Sequence, residues 1–282
     1  MSVDPGPLLA RKTWRTLEPL HGMIYFVPEA AEAYERLGIT GRTGYFASRA
    51  APMGAVAAEL VIATFFNFNP DLVHAAIPRA WEITTPGALV DARLSAADGA
   101  FRRLLGDEVL ESPAMARAAE LARGMAENAG TQMEGRPLSA GHADLPWPHA
   151  PHLVLWHAQS ILREYRGDGH VALLLTHGLS GIDALVTHGA SGDVPPHVLR
   201  STRGWSEEQW GAAVNSLQGR GWLAGGDDLA FTDWGAAQRQ EIEEQTDALA
   251  AAPYAALGEE GCAELRALTR PWSKVFAEVL LR

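Results

Sequence analysis

Between Gly135 and Pro151 the chain carries prolines at 137, 146, 148 and 151, with His142 and His149 among them and His152 just beyond. Each proline removes a backbone donor and pushes the residue before it out of the helical region, so helix is not expected there. Because helical periodicity holds on both sides, this stretch reads as a joint. It separates an N-terminal helical domain over 1–134 from a second domain over 153–282, with a Pro/His-rich linker at 135–152. Three histidines this close raise the question of a metal, but the prolines deny them a regular ligand spacing. A solvated loop without metal is the expectation.

Outside the joint the pattern is mainly α. Apolar residues recur at helical spacing over Lys12 to Phe26, over Glu29 to Leu37 (opened by Pro28 and stopped by Gly38), and over Ala55 to Phe66. The same spacing returns at Asp71 to Trp81, Val90 to Leu105 and Ser112 to Asn128. Gly41 to Gly54 is read instead as a turn-rich segment. Within it Arg42 and Arg49 sit among small residues, where an arginine is explained either by a bound anion or by pairing across domains. Asn69 is placed to cap the helix that starts at Pro70, whereas Asn67, between aromatics, is free to line a pocket.

The formal charge of −11 opposes general nucleic-acid binding, which needs a positive surface to neutralise phosphates. The single cysteine, Cys262, excludes an internal disulfide and a multi-cysteine metal site. With no basic start leading into an apolar run and no apolar stretch of membrane length, a cytoplasmic protein is expected.

The densest chemistry lies in Leu155 to Ala172, which holds His157, Arg163, Glu164, Arg166, Asp168 and His170, with Gly167 and Gly169 around the aspartate. On a helix His157, Glu164 and Asp168 share one stripe, and Arg163, Arg166 and His170 the next. Each glycine costs a helix roughly 1 kcal/mol against alanine, which asks for a close approach or a break. The plain alternative is a helix end whose charges are solvated or paired with each other. His21, in an amphipathic helix beside Gly22, has its own plain reading as a satisfied core residue.

Past Pro195-Pro196, Ser206 caps a helix to Gly219 with Gln209 completing a capping box, Arg220-Gly221-Trp222-Leu223 ends it, and Gly225 to Asp228 makes a turn. Thr232 then caps a long helix from Asp233, and two more helices fit Ala255 to Leu268 and Trp272 to Leu281. This order over Ile161 to Leu249 resembles a MarR-type winged helix. The resemblance implies that 206–219 reads the major groove, that 225–228 is a small β-wing, and that the long helix dimerises. The whole chain resembles an actinobacterial family of helix-turn-helix-like proteins. That resemblance is carried by His21-Gly22, Gly44 to Gly54, Asn67 to Pro70, Leu162-Arg163-Glu164, Arg166 to His170, Arg203-Gly204-Trp205 and Glu243 to Asp247. The fold expected is therefore an N-terminal helical domain followed by a winged-helix-like domain.

The helix assigned to reading presents Glu207, Glu208, Gln209, Trp210, Asn215, Ser216 and Gln218, with no cation before Arg220, and the turn carries Asp227 and Asp228. Bases and phosphates are normally met by arginine, lysine and amides, so DNA binding is not expected from this face. The leading expectation is a small-molecule protein on a repurposed scaffold, a cofactor-free enzyme doing acid/base work (cyclisation, elimination or isomerisation) on an anionic metabolite. In it Asp168 or His170, with Glu164 and His157, moves protons, Arg163 and Arg166 hold the anion, and Arg49, Asn67, His21 and Tyr45 line the far wall. The alternatives are a ligand-responsive regulator, whose dimer gathers Arg200, Arg203, Arg220 and Arg239, and a non-catalytic partner subunit of a homodimer or heteromer.

Overall fold

The computed structural model describes residues 6–226 and 228–280. Asp227 of the expected wing and Leu281 at the expected end of the last helix lie outside the described residues. The chain runs through α1 (Gly6–Gly22), α2 (Pro28–Arg36), α3 (Gly41–Ala50), α4 (Ala58–Phe65), α5 (Pro70–Ala76), α6 (Arg79–Ile83), α7 (Pro86–Leu105) and α8 (Asp107–Leu110). It continues through α9 (Pro113–Ala129), α10 (Pro137–Ala143), α11 (Pro151–Thr176), α12 (Gly181–Ala190), α13 (Pro196–Arg203), α14 (Glu207–Gly219), α15 (Asp233–Leu249) and α16 (Ala251–Leu280). Prolines open many of these helices, where the missing N–H has no intrahelical partner to lose. The polar caps act where local chemistry places them: Asn69 on α5, Ser112 on α9, Ser180 on α12, Ser206 on α14 and Thr232 on α15.

Two hydrophobic cores result. The first joins Leu17 and Leu20 of α1, Phe46 of α3, Phe101 of α7, Met115 of α9, Leu155 to Tyr165 on α11 and Leu265 and Phe276 of α16. The second is smaller and joins Leu174, Val186, Ala213, Leu217, Trp222 and Ile242. Helix α11 therefore runs from one core into the other, and α16 returns to pack against α1 and α9. Among the described residues no single helix is long and apolar enough to cross a membrane.

Several expectations need correction. Gly41 to Gly54 is not a turn segment: it forms α3, because Phe46, Ala47 and Ala50 bury one helical face and Gly44 lets Tyr34 pack closely on the other. The stretch 135–152 is not a solvated loop. Pro137 and Pro151 stand at the first turns of α10 and α11, and Leu138, Ser139 and His142 are buried. His152 is buried against Asp98 at 2.7 Å, and His149 is exposed. Asp71 to Trp81 is split at Pro78 into α5 and α6. The small β-wing is absent among the described residues: one antiparallel bridge, Leu223 with Phe231, stands in its place. The flanking segments are too short to make a ladder, since Trp222 already bonds the N-cap residue Thr232.

Candidate active site

The first half of α11 faces α1, α3, α7 and α10, and there the core is polar. His21, Arg93, His142, Trp156, His157, Ser160 and Glu164 are all buried. Glu164 is held by Arg49 at 3.2 Å and by Arg163 at 2.8 Å, and Arg163 also reaches Glu18 at 2.9 Å. Burial would raise the Glu164 carboxyl, but the charges of Arg49 and Arg163 outweigh it and hold the pKa down to about 2. Tyr45 accepts from Arg49 at 3.2 Å and packs against Tyr25. The arrangement gathers His21, Tyr45, Arg49, Arg163 and Glu164, drawn from three helices, and His157 lines a small cavity beside them.

The remaining candidates of the dense stretch point elsewhere. Arg166 pairs with Asp247 at 2.7 Å, an aspartate that Arg11 also holds, and its guanidinium lies over Trp14. His170 bonds Thr246 at 2.9 Å. These contacts tie α11 to α15 and α1. Asp168 accepts the backbone N–H groups of Leu138 and Ser139, at 3.1 and 2.9 Å, and so caps α10 from a distance. Its burial pushes the carboxyl up to about 6 in spite of those bonds. Gly167 and Gly169 do not break α11. At Gly169 an added Cβ would lie 2.8 Å from Arg136 Nη1, whose guanidinium stacks on Tyr165, so the glycine serves a close approach. Asn67 contributes its carbonyl, which accepts from the Trp205 indole at 3.0 Å.

Four residues that sequence reasoning missed complete the cluster: Tyr25, Arg93, His142 and Trp156. Arg93 is 2% exposed and makes no ion pair among the described residues. Its Nη2 donates to the Tyr25 hydroxyl at 3.4 Å, and Nε and Nη1 find no protein partner there. The signal was available, because Arg93 interrupts the buried stripe Leu89, Ala96, Ala97, Ala100 of α7. Tyr25 follows His21 by four residues, one helical turn.

His21 links Ser160 to Tyr25: Nδ1 stands 2.9 Å from the Ser160 hydroxyl, which also reaches the Trp156 carbonyl at 3.1 Å, and Nε2 stands 3.3 Å from the Tyr25 hydroxyl. Burial, with the charges of Arg163 and Arg93, keeps His21 well below its ordinary pKa and so uncharged at neutral pH. Burial alone would raise the Tyr25 phenol, but Arg163, Arg93 and Arg49 together draw it below 10. Tyr25 also lines an open cavity of about 400 Å³ that is bounded by Ile24, Tyr34, Ile39, Tyr45 and Ser48. Tyr25 thus joins the buried arginine cluster to the wall of an open pocket, its phenol drawn down by the cations beside it.

The other half is docked onto this one. Asn69 Nδ2 donates to the Gly204 carbonyl at 3.0 Å and to Gln209 Oε1 at 3.3 Å, and Arg203 O accepts from Asn69 N at 2.9 Å. These contacts hold the first turn of α14. Around it the arginines are engaged: Arg200 with Glu207 at 2.8 Å, Arg220 with Asp183 at 3.3 Å, Arg239 with Glu243 at 2.5 Å, and Arg203 over the Phe68 ring.

A helix-turn-helix family model matches residues 10–280. No curated protein and no solved structure matches the chain. With nearly its whole length inside that match, the chain belongs to the helix-turn-helix family.

Proposed function

We propose that the protein binds a small anionic molecule in the pocket before Tyr25 and moves a proton on it, on a helix-turn-helix scaffold that has ceased to read DNA sequence. The observation that carries this reading is Tyr25, whose hydroxyl stands between Arg93 Nη2 and His21 Nε2 and which also lines an open cavity. Tyr25 gives or takes the proton, Arg93 and Arg163 stabilise its phenolate and attract the substrate's charge, and His21 positions the hydroxyl. Two features argue against DNA reading. The exposed face of α14 offers Glu207, Glu208, Asn215 and Ser216 but no cation, and Arg200, Arg220 and Arg239 nearby are paired with carboxylates. The test is a thermal-shift screen of carboxylate- and phosphate-bearing metabolites, with turnover of each stabilising compound then compared between wild type and Tyr25→Phe. Loss of turnover by about 100-fold with binding retained supports the reading; equal turnover overturns it.

A ligand-responsive transcription regulator is the second reading, favoured by the family match over residues 10–280. In it the same pocket is a sensor. Fluorescence polarisation with promoter-derived and mixed duplexes separates the two. Low-micromolar binding that weakens steeply with salt favours the regulator, and none at low salt favours the scaffold.

A further inference from the structure

The pocket before Tyr25 is walled by hydrocarbon and by rings. Ile24, Val27 and Ile39 line it from the core side, and Tyr25, Tyr34 and Tyr45 supply aromatic surface. Among the described residues that line it, Glu35 is the one that carries a charge, and it is exposed. The cations stand behind the tyrosines. Arg93 and Arg163 lie over the Tyr25 ring, 5.3 and 5.6 Å from its centroid, and Arg49 Nη1 donates to the Tyr45 hydroxyl at 3.2 Å. Positive potential therefore reaches the pocket across these two side chains. At about 400 Å³ the pocket holds far more than an acetate-sized anion, which would leave the apolar walls wet. Phe26 lines the same pocket and is 61% exposed. A single apolar side chain on a surface is ordinary, but this one extends a cavity that is already apolar. Its backbone is held as well: Phe26 N and Val27 N both donate to Met23 O, at 2.9 and 3.1 Å, and Pro28 opens α2 directly after.

Resting on the reading that this pocket takes an anion, we propose that the ligand is an aromatic carboxylic acid, its planar ring packed against Phe26 and the tyrosines and its carboxylate turned to the wall of Tyr25 and Tyr45. The rings select an aromatic body over an aliphatic one of the same size, because ring pairs gain energy beyond the area they bury. The arginines behind the tyrosines select the acid over its uncharged amide.

The test is calorimetric titration of the full chain with benzoate, cyclohexanecarboxylate, 2-naphthoate and 2-naphthamide. Benzoate is expected to bind about fivefold more tightly than cyclohexanecarboxylate, which has the same charge and ring size. 2-Naphthoate is expected to bind about tenfold more tightly than benzoate, and 2-naphthamide about tenfold more weakly than 2-naphthoate. Phe26 is exposed, so its variants should fold: Phe26→Leu is expected to weaken 2-naphthoate by about fivefold, and Phe26→Tyr to retain it. Ala31, also exposed, lines the pocket, and Ala31→Trp is expected to block it. Binding is read without turnover, so a failure of proton transfer by Tyr25 leaves the result standing. Equal binding of 2-naphthamide and 2-naphthoate would sink the anionic reading of the pocket and still uphold the ring site. Cyclohexanecarboxylate binding as tightly as benzoate overturns the proposal, as does no binding by either naphthyl compound. A concentration-dependent dimer that Phe26→Leu abolishes also overturns it, since a second copy would then cover the pocket.

Discussion

Arg93 Nη2 donates to the Tyr25 hydroxyl at 3.4 Å, while no other atom of that guanidinium finds a protein hydrogen-bond acceptor among the described residues. A few ångströms away Arg49 and Arg163 share Glu164. Two kinds of buried arginine thus occur in one cluster, one paired with a carboxylate and the other packed over the rings of Tyr25 and Trp156, and they respond differently to removal.

Glu164→Gln strips Arg49 of its counterion and leaves Arg163 with Glu18 alone, and is expected to destabilise the fold by about 3 kcal/mol, because breaking a buried pair leaves a charge unpaired. Arg93→Met removes a cation held by the Tyr25 hydroxyl and by the rings of Tyr25 and Trp156 but by no carboxylate among the described residues, and is expected to cost less, about 1 kcal/mol. Urea denaturation of both variants checks the contrast; a larger loss in Arg93→Met than in Glu164→Gln contradicts it.

Asp168 caps α10 through two backbone N–H groups. Asp168→Ala is expected to cost about 1–2 kcal/mol and to speed amide exchange over 137–143. Turnover of any substrate found should survive, since this carboxylate faces α10 and not the Tyr25 pocket. Loss of turnover at unchanged stability would move proton transfer to Asp168.

Gly181 is the tight point between the halves: an added Cβ would lie 2.0 Å from Phe66 O. Gly181→Ala is expected to cost at least about 2 kcal/mol and to loosen the seam, raising exchange at Gly204 to Gln209. Unaltered exchange there would mean that the close approach of Gly181 to Phe66 does not hold the seam.

Stability should fall as the solution is acidified below pH 6.5. Burial holds His142 at about 3 and His157 and His170 at about 4, each below the ordinary histidine value, so the unfolded chain takes up their protons first. Acid therefore favours unfolding through the window from 6.5 to 4. Asp168, raised to about 6, acts in the opposite sense because its folded form binds the proton first, but it is one group against five, since burial lowers His21 and His188 as well. Below about 4.5 Glu164, held near 2, adds to the loss. The expected slope is on the order of 1.4 kcal/mol per pH unit for each net proton. Denaturation at pH 7, 5.5 and 4.5 measures it, and a flat or rising profile contradicts it.

Local chemistry was legible in the sequence. Asn69, Ser180, Ser206 and Thr232 cap the helices they precede, because a cap depends on residues within one turn. The dense stretch on α11 was legible as chemistry but not as one site. Helical spacing set Arg163 in the same stripe as Arg166 and His170, yet Arg163 turns to Glu18 and Glu164 while the other two turn to α15. A long side chain on a helix buried all round goes where partners from other elements stand, and spacing alone does not name them. For the same reason 135–152 was misread. The charge of Asp168 and the closeness of Pro52 to Gly141, which turn that segment into a buried helix, come from distant parts of the chain. Arg93 and Tyr25 were within reach, one as a cation on an apolar stripe and the other a turn after His21.

Proton movement by Tyr25 is the central claim, and in D2O it is read as deuterium uptake where the proton moves to or from carbon and as conversion of the compound otherwise. Every carboxylate or phosphate compound that stabilises the protein would be incubated in D2O with wild type and with Tyr25→Phe and followed by NMR. Exchange or conversion of at least one compound is expected, about 100-fold slower in Tyr25→Phe although the compound still stabilises that variant. Equal rates in the two proteins, or no exchange in any bound compound, would contradict the claim.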